Sequence, residues 1–343
     1  MKKIRVEDAV GQTLCHDMTA ILADGFKGVK FARGHVITEA DIPELLNIGK
    51  AHIYVWEPEA DEVHEDDAAM EVSKVICDEN IQISGPHEGK MQLTAAADGL
   101  FCVNKDALHA INQVPDYTIA CRSNFTPVHA GDKLAGARIV PLVTKRSNVR
   151  RAVELAVSNA PVLSVRPFRP LRCGLVITGG EIYHGRIQDK MEPVMIPKIQ
   201  RLGGQYLRAV FCDDDVSMIL AAIRQLRTEG TELILLTGGM SVDPDDRTPG
   251  GIHDTGAKLV TYGAPVLPGA MLLVAYLERN GRSIPVLGLP GCVMYAKRTV
   301  FDLILPRVMA DDEIKAEEIA RLGEGGLCLN CPVCTFPNCG FGK

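Results

Sequence analysis

Leu233-Ile-Leu-Leu-Thr-Gly-Gly-Met-Ser-Val-Asp-Pro-Asp-Asp-Arg-Thr-Pro249 is the stretch on which the fold turns. Its first four residues are apolar without a break, which suits a short strand buried on both faces. A threonine and two glycines follow. Such a turn lets backbone approach a ligand closely and present N–H groups to an anion. The same order stands upstream, where Cys173-Gly-Leu-Val-Ile-Thr178 runs into Gly179-Gly180.

Working outward from these two runs, residues 193–202 read as a helix closed by Gly203-Gly204, and 207–211 as a strand. Asp213-Asp214-Asp215 is placed to cap a helix over 216–227, with Ile219, Leu220, Ile223 and Leu226 on one face and Gly230 at its end. Pro285-Val-Leu-Gly-Leu289 reads as a further strand, Pro290-Gly291 as a turn, and 295–309 as a helix. Alternating strands and helices of these lengths predict an α/β domain over 170–310, a doubly wound, mostly parallel sheet. In such sheets ligands bind outside the carboxyl ends of the strands, where both Thr-Gly-Gly turns fall.

The flanks read differently. Residues 1–160 show short elements separated by turn signals such as Asp24-Gly25, Arg33-Gly34 and Asp98-Gly99. Strands are expected at 53–56, 118–121 and 137–140, and helices at 39–48 and 66–77, which makes an N-terminal α+β region. A helix over 150–159 leads into the second domain. His16, His35, His52, His64, His87, His109 and His129 lack metal spacing, and structural roles are expected for them. Residues 311–343 form a charged, helix-like stretch and then a short Cys-rich C-terminal tail.

Composition limits the partners. The chain has 343 residues, 46% of them hydrophobic, enough for two or three domains with proper cores. A net charge of -6 gives no electrostatic reason to expect nucleic acid. Lys145-Arg146, Arg150-Arg151, Arg166, Arg169 and Arg172 read as a solvated face or linker, in preference to an anion-attracting rim. The uncharged run 259–277 has the length of a membrane span, but Gly263, Pro265, Pro268 and Gly269 break it, so it is expected in the core. The first residues, Met1-Lys2-Lys3-Ile4-Arg5, lead straight into polar sequence without the apolar stretch of a secretory signal. Cysteines scattered singly from Cys15 to Cys292 suit a reducing compartment. A cytoplasmic protein with no membrane partner is expected.

Two groups of residues point to ligands. Asp243, Asp245 and Asp246 stand beside the anion-friendly Gly238-Gly239 turn, a conflict that Mg²⁺ between carboxylate and phosphate would resolve. A solvated turn with an aspartate helix cap is the other reading. Cys328-x2-Cys331-x2-Cys334-x4-Cys339 places four thiols where Zn²⁺ or an iron–sulfur cluster could be held. The spacing is that of a ferredoxin run with one residue added before the last cysteine, and it leaves the two metals open. A flexible segment with reactive thiols is the alternative.

Residues 237–249 resemble the signature of the molybdopterin-binding domain shared by molybdopterin adenylyltransferases and molybdopterin molybdenumtransferases: Thr-Gly-Gly, a variable stretch, then Asp246-x-Thr248-Pro249. Four further resemblances lie in order along the chain. Thr178-Gly-Gly-Glu181 with Gly185 and Asp189 is similar to the domain's first motif. Asp214 matches an acidic residue at the start of a helix, Pro268-Gly269 a Pro-Gly turn, and Leu289-Pro290-Gly291 a Leu-Pro-Gly turn.

The resemblance implies molybdopterin, or its adenylylated form, as ligand, with Mg²⁺. It implies Asp214 and Asp246 as the acidic pair that handles metal and phosphate in catalysis. It implies a ligand cradle of Thr178, Gly179, Gly180, Glu181, Asp189, Thr237, Gly238, Gly239, Ser241, Thr248, Pro290 and Gly291. The two-part architecture favours molybdenum insertion from molybdate with release of AMP. Departures from the transferase pattern keep other readings in view. Asp243-Pro244 replaces a Gly-acid pair, the N-terminal half lacks a Thr-Gly-Ala-x-x-Pro motif, and Asp245-Asp246-x-Thr is similar to competence-damage-inducible proteins. The alternatives are a non-catalytic module that delivers molybdopterin to a molybdoenzyme, an adenylyltransferase, and a carrier of zinc or iron–sulfur. This domain family commonly forms homo-oligomers, and one is expected here.

Overall fold

The computed structural model describes residues 2–21, 25–56, 59–241, 243, 246–279 and 281–343. Asp24 of the expected turn, and Pro244 and Asp245 of the acidic loop, lie outside the described residues. The chain divides into two compact units: Met1–Ala97 with Cys102–Arg122 and Ala130–Val165, and Asp98–Phe101 with Ser123–His129 and Arg166–Lys343.

The first unit is α+β. One small core gathers Val6, Leu14, Phe31, Ile37, Leu45 and Ile53 around the antiparallel pair Lys2–Arg5 and His52–Val55. A four-stranded antiparallel sheet follows, in the order Ile81–His87, Lys90–Ala95, Lys133–Ile139, Tyr117–Cys121. The helix Glu65–Ile76 buries Ala68, Ala69, Val72 and Ile76, a single stripe at helical spacing. The helices expected at 66–77 and 150–159 fall at Glu65–Ile76 and Arg146–Ser158.

The second unit is built on a six-stranded sheet in the order Gln205–Cys212, Arg172–Thr178, Leu233–Thr237, Arg282–Leu289, Leu273–Arg279, Lys258–Tyr262. The first four strands run parallel and the last two antiparallel. Helices cover both faces. Alternate residues of Arg172–Thr178 show why: Cys173, Leu175 and Ile177 pack with the helices Glu192–Gln200 and Val300–Met309. Val176 on the opposite face packs with Ile219, Ile223 and Leu226 of Val216–Thr228. A strand covered on both sides has no polar face, which is why its sequence reads as an unbroken apolar run.

One expectation changes and one holds. The helix expected over 295–309 starts later, as Val300–Met309, and a 3₁₀ turn at Gly291–Met294 precedes it. Thr299 sets the start: its hydroxyl accepts the Phe301 N–H at 3.3 Å while Asp302 accepts the Thr299 N–H at 2.9 Å. The uncharged run 259–277 does contribute to the core: Val266, Leu272, Val274 and Tyr276 pack in one core cluster and Leu273, Ala275 and Leu277 in another, while Leu259 and Leu267 are exposed. Among the described residues no helix is long and apolar enough to cross a membrane.

Candidate functional site

Register brings the separate motifs to one edge. Thr178 stands beside Cys212, Ile177 beside Thr237, and Thr237 beside Leu289. Four parallel strands therefore end together, and the segments that leave them are Gly179-Gly180, Asp213-Asp214-Asp215, Gly238-Gly239 and Pro290-Gly291. This is the crevice outside the carboxyl ends of the strands that a doubly wound sheet offers a ligand.

Threonine hydroxyls tie the turns together. The Thr178 hydroxyl has two alternative acceptors for its one proton, Thr248 Oγ1 at 3.1 Å and the Thr237 carbonyl at 3.3 Å. Thr248 Oγ1 donates to the Gly238 carbonyl at 2.8 Å, and its N–H donates to the Gly239 carbonyl at 3.2 Å. All three threonines are buried, and the Thr237 hydroxyl has no hydrogen-bond partner among the described residues. Gly238 has φ +89°, and a Cβ there would lie 2.2 Å from the Thr178 carbonyl oxygen, so no side chain fits. Gly239 has φ +52°, and a Cβ there would meet Thr248 Oγ1 at 3.0 Å and Asp214 Oδ1 at 3.3 Å. The Asp214 carboxylate thus faces the second glycine of the loop. Its Oδ2 accepts the Gly180 N–H at 3.1 Å, which links the two Gly-Gly turns through one side chain. Burial, with Glu181 and Asp213 adding to it, pushes the Asp214 carboxyl above the ordinary aspartate range; the Gly180 N–H opposes this.

The other expected residues take varied places. Asp246 Oδ2 accepts the Asp243 N–H at 3.1 Å and the Asp246 N–H donates to the Asp243 carbonyl at 2.9 Å, a closed turn. Both oxygens of Asp189 are engaged by backbone, the Met191 N–H at 2.9 Å and the Glu192 N–H at 2.8 Å, where the helix Glu192–Gln200 begins. Glu181 folds back over Gly179, with its carboxylate 3.1 Å from where a Cβ would stand. Ser241 is exposed. Pro290 precedes the 3₁₀ turn, and a Cβ on Gly291 would meet nothing within 4 Å, so that backbone borders open space.

Three participants in the site escaped the sequence reading. The Tyr262 hydroxyl donates to the Met240 carbonyl at 2.9 Å and holds the loop after Gly239. Asp213, expected only near a helix start, pairs with His184 at 3.1 Å, beside Gly180. A lone tyrosine on an edge strand and a lone histidine carry no spacing signal that would have marked them.

Among the described residues no three His, Cys, Asp or Glu side chains form a group able to hold a metal ion. Asp214 and Asp246 gain no third carboxylate among them. Cys331 and Cys334 are exposed, whereas Cys328 and Cys339 lie half-buried against the core of the second unit. Nor is this segment loose: Phe341 is 5% exposed in that core. Arg298, hydrogen-bonded to Cys334, holds its thiol below the ordinary cysteine range.

Comparison with known proteins agrees with the motif reading. Residues 174–310 match the family model described as "Probable molybdopterin binding domain", and residues 3–57 match a domain family of unknown function. Molybdopterin molybdenumtransferase of Synechococcus elongatus is 27% identical over 184 residues, 51% of this chain and 42% of that protein. A CinA-like protein of Mycobacterium sp. (strain MCS) is 36% identical over 77 residues, 22% of this chain and 18% of that protein. The chain thus spans less than half the length of these curated relatives. Among solved structures, the tungsten cofactor synthesizing protein MoaB of Pyrococcus furiosus is 18% identical with a TM-score of 0.35, covering 41% of this chain and 92% of that one. The molybdopterin biosynthesis enzyme MoaB of Thermus thermophilus is 21% identical with a TM-score of 0.33, covering 40% and 91%.

Proposed function

With a molybdopterin-binding domain matched over 174–310, we propose that this crevice binds adenylylated molybdopterin and inserts molybdenum from molybdate, with release of AMP. The single observation that carries the reading is the convergence of Gly180, Asp214, Gly239 and Thr248 at one sheet edge, fastened by the Asp214 and Thr178–Thr248 hydrogen bonds. The Gly238 and Gly239 amides offer donors for the substrate's anionic groups, whereas the Gly179 and Gly180 amides are already given to the Cys212 carbonyl and to Asp214 Oδ2. Thr178 and Thr248 hold the Thr237-Gly238-Gly239 turn in place through its carbonyls. Glu181, Ser241 and Gly291 border the ligand, and Asp189 acts at a distance by starting the helix Glu192–Gln200.

Mg²⁺ fits the donor set, because it commonly takes one or two carboxylates and completes its shell with water and substrate phosphate. Asp214 and Asp246 would hold it, and it would screen phosphate charge as AMP departs. Asp214 keeps its Oδ1 toward Gly239 while Oδ2 is anchored, so one oxygen stays directed at the loop. The cytoplasm is the proposed compartment and a homo-oligomer the proposed state, with a molybdoenzyme as recipient.

A second reading is a binding and delivery module. The observation favouring it is the Asp246–Asp243 turn, which already occupies one oxygen of a residue the chemistry requires. Purified protein mixed with adenylylated molybdopterin, Mg²⁺ and molybdate should release AMP, and Asp246→Ala should slow release by about a hundredfold. Tight binding without AMP release, unchanged in Asp246→Ala, would establish the delivery module instead. Conversion of ATP and free molybdopterin to the adenylylated form, with release of pyrophosphate, would point to an adenylyltransferase.

A further inference from the structure

The four C-terminal cysteines surround one space. Cys328, Cys331, Cys334 and Cys339 all line a cavity of about 220 Å³. The segment that carries them is anchored on both sides. The Cys328 N–H donates to the Leu267 carbonyl at 2.8 Å, and the Gly342 N–H donates to the Gly325 carbonyl at 2.9 Å, closing the loop on itself. Lys297 Nζ donates to the carbonyls of Cys331 at 3.1 Å and Pro332 at 3.0 Å. Arg298 lies over the Phe336 ring at 5.0 Å and pairs with Asp302 at 2.9 Å. The thiols are therefore set around a preformed cavity whose wall also carries Leu329 and Phe341.

The occupant follows from size and charge. Zinc thiolates sit at about 2.3 Å from the ion in a tetrahedron, which puts the sulfurs roughly 3.8 Å apart. No three described side chains close to a single-ion group. A cluster spreads its thiolates more widely, because each binds a different iron at a corner, and it fills a space that a bare ion would leave empty. Four thiolates on such a cluster leave a net negative charge, and Lys297 and Arg298 on the cavity wall oppose it. We propose that Cys328, Cys331, Cys334 and Cys339 hold a [4Fe–4S] cluster in this cavity, with iron and sulfide supplied from outside.

The full chain, purified without oxygen and supplied with sulfide and equal amounts of ferrous and ferric iron, tests this. About four irons and about four acid-labile sulfides per chain are expected, with the paramagnetic signal of a reduced cluster after dithionite. Cys331→Ser with Cys334→Ser should remove most of both. These two thiols are exposed, so the double variant should keep the parent's unfolding temperature. Stoichiometric zinc with no uptake of iron would overturn the proposal. So would iron and sulfide at parent levels in a folded double variant, and so would absence of the signal from the parent chain.

Discussion

Gly238 shows how one missing side chain shapes the site. Its Cα faces the Thr178 carbonyl, and its φ of +89° is one that side-chain-bearing residues rarely adopt. Gly238→Ala has no room to relax, since the obstructing atom is backbone. It should cost about 3 kcal/mol or more, read as a drop in thermal unfolding temperature. An unchanged melting temperature would mean the turn is not packed as described. Thr248 acts at the same scale. Thr248→Val keeps the volume but leaves the buried Gly238 carbonyl and Thr178 hydroxyl each short of a partner. A loss of about 1–3 kcal/mol is expected from chemical denaturation. The glycines and the threonine were legible in the sequence as a motif. That Thr178 and Thr248 meet was not, because the two residues lie in separate segments of the chain and only the register of adjacent strands joins them.

At the scale of elements, the start of Glu65–Ile76 gives a pH prediction. His64 is buried; its Nε2–H donates to the Cys15 carbonyl at 2.7 Å and its Nδ1 accepts the Asp66 N–H at 3.2 Å, so the neutral ring caps the helix. Burial, and next the Arg33 guanidinium, hold its pKa below the ordinary 6.5. As pH falls through about 6.5 the unfolded chain takes up a proton that the folded chain refuses, so stability contributed by the neutral ring is lost toward acid. Thermal unfolding compared at about pH 7.5 and about pH 5.5 should show a larger loss for the parent than for His64→Asn, whose amide can still cap. Equal losses would remove His64 as the cause. The capping aspartates before Val216–Thr228 were legible because local chemistry decides a helix start. The start at Thr299 was missed because the capping box of Thr299 and Asp302 is a smaller signal than the apolar periodicity of the residues that follow it.

For the molecule as a whole, Arg307 is the buried cation that gathers distant segments of the second unit. It is 3% exposed, pairs with Asp312 at 2.6 Å and Glu318 at 2.7 Å, and lies over the Phe125 ring at 4.1 Å. Arg307→Met should lower stability by about 1–3 kcal/mol by leaving the half-buried Asp312 and Glu318 carboxylates each short of a partner. A change within experimental error in denaturant unfolding would show the cluster to be dispensable. The stretch Ser123–His129 also belongs to this unit, where Lys343 Nζ donates to Thr126 Oγ1 at 2.8 Å. A fragment of residues 166–343 should therefore unfold at lower temperature than the intact chain, as differential scanning calorimetry can check.

What the sequence determined by itself is whatever short-range chemistry encodes. Unbroken apolar runs made buried strands, glycine pairs made close-approach turns, and an aspartate made a helix start. These sufficed for the doubly wound sheet and for the candidate loop residues. Only the tertiary structure decided which of those residues meet. Parallel register put Asp214 between the two Gly-Gly turns, and the antiparallel edge strand set Tyr262 against the loop. It also turned a spacing of four cysteines into a walled cavity. Such contacts join residues far apart in the chain, and no local pattern records them.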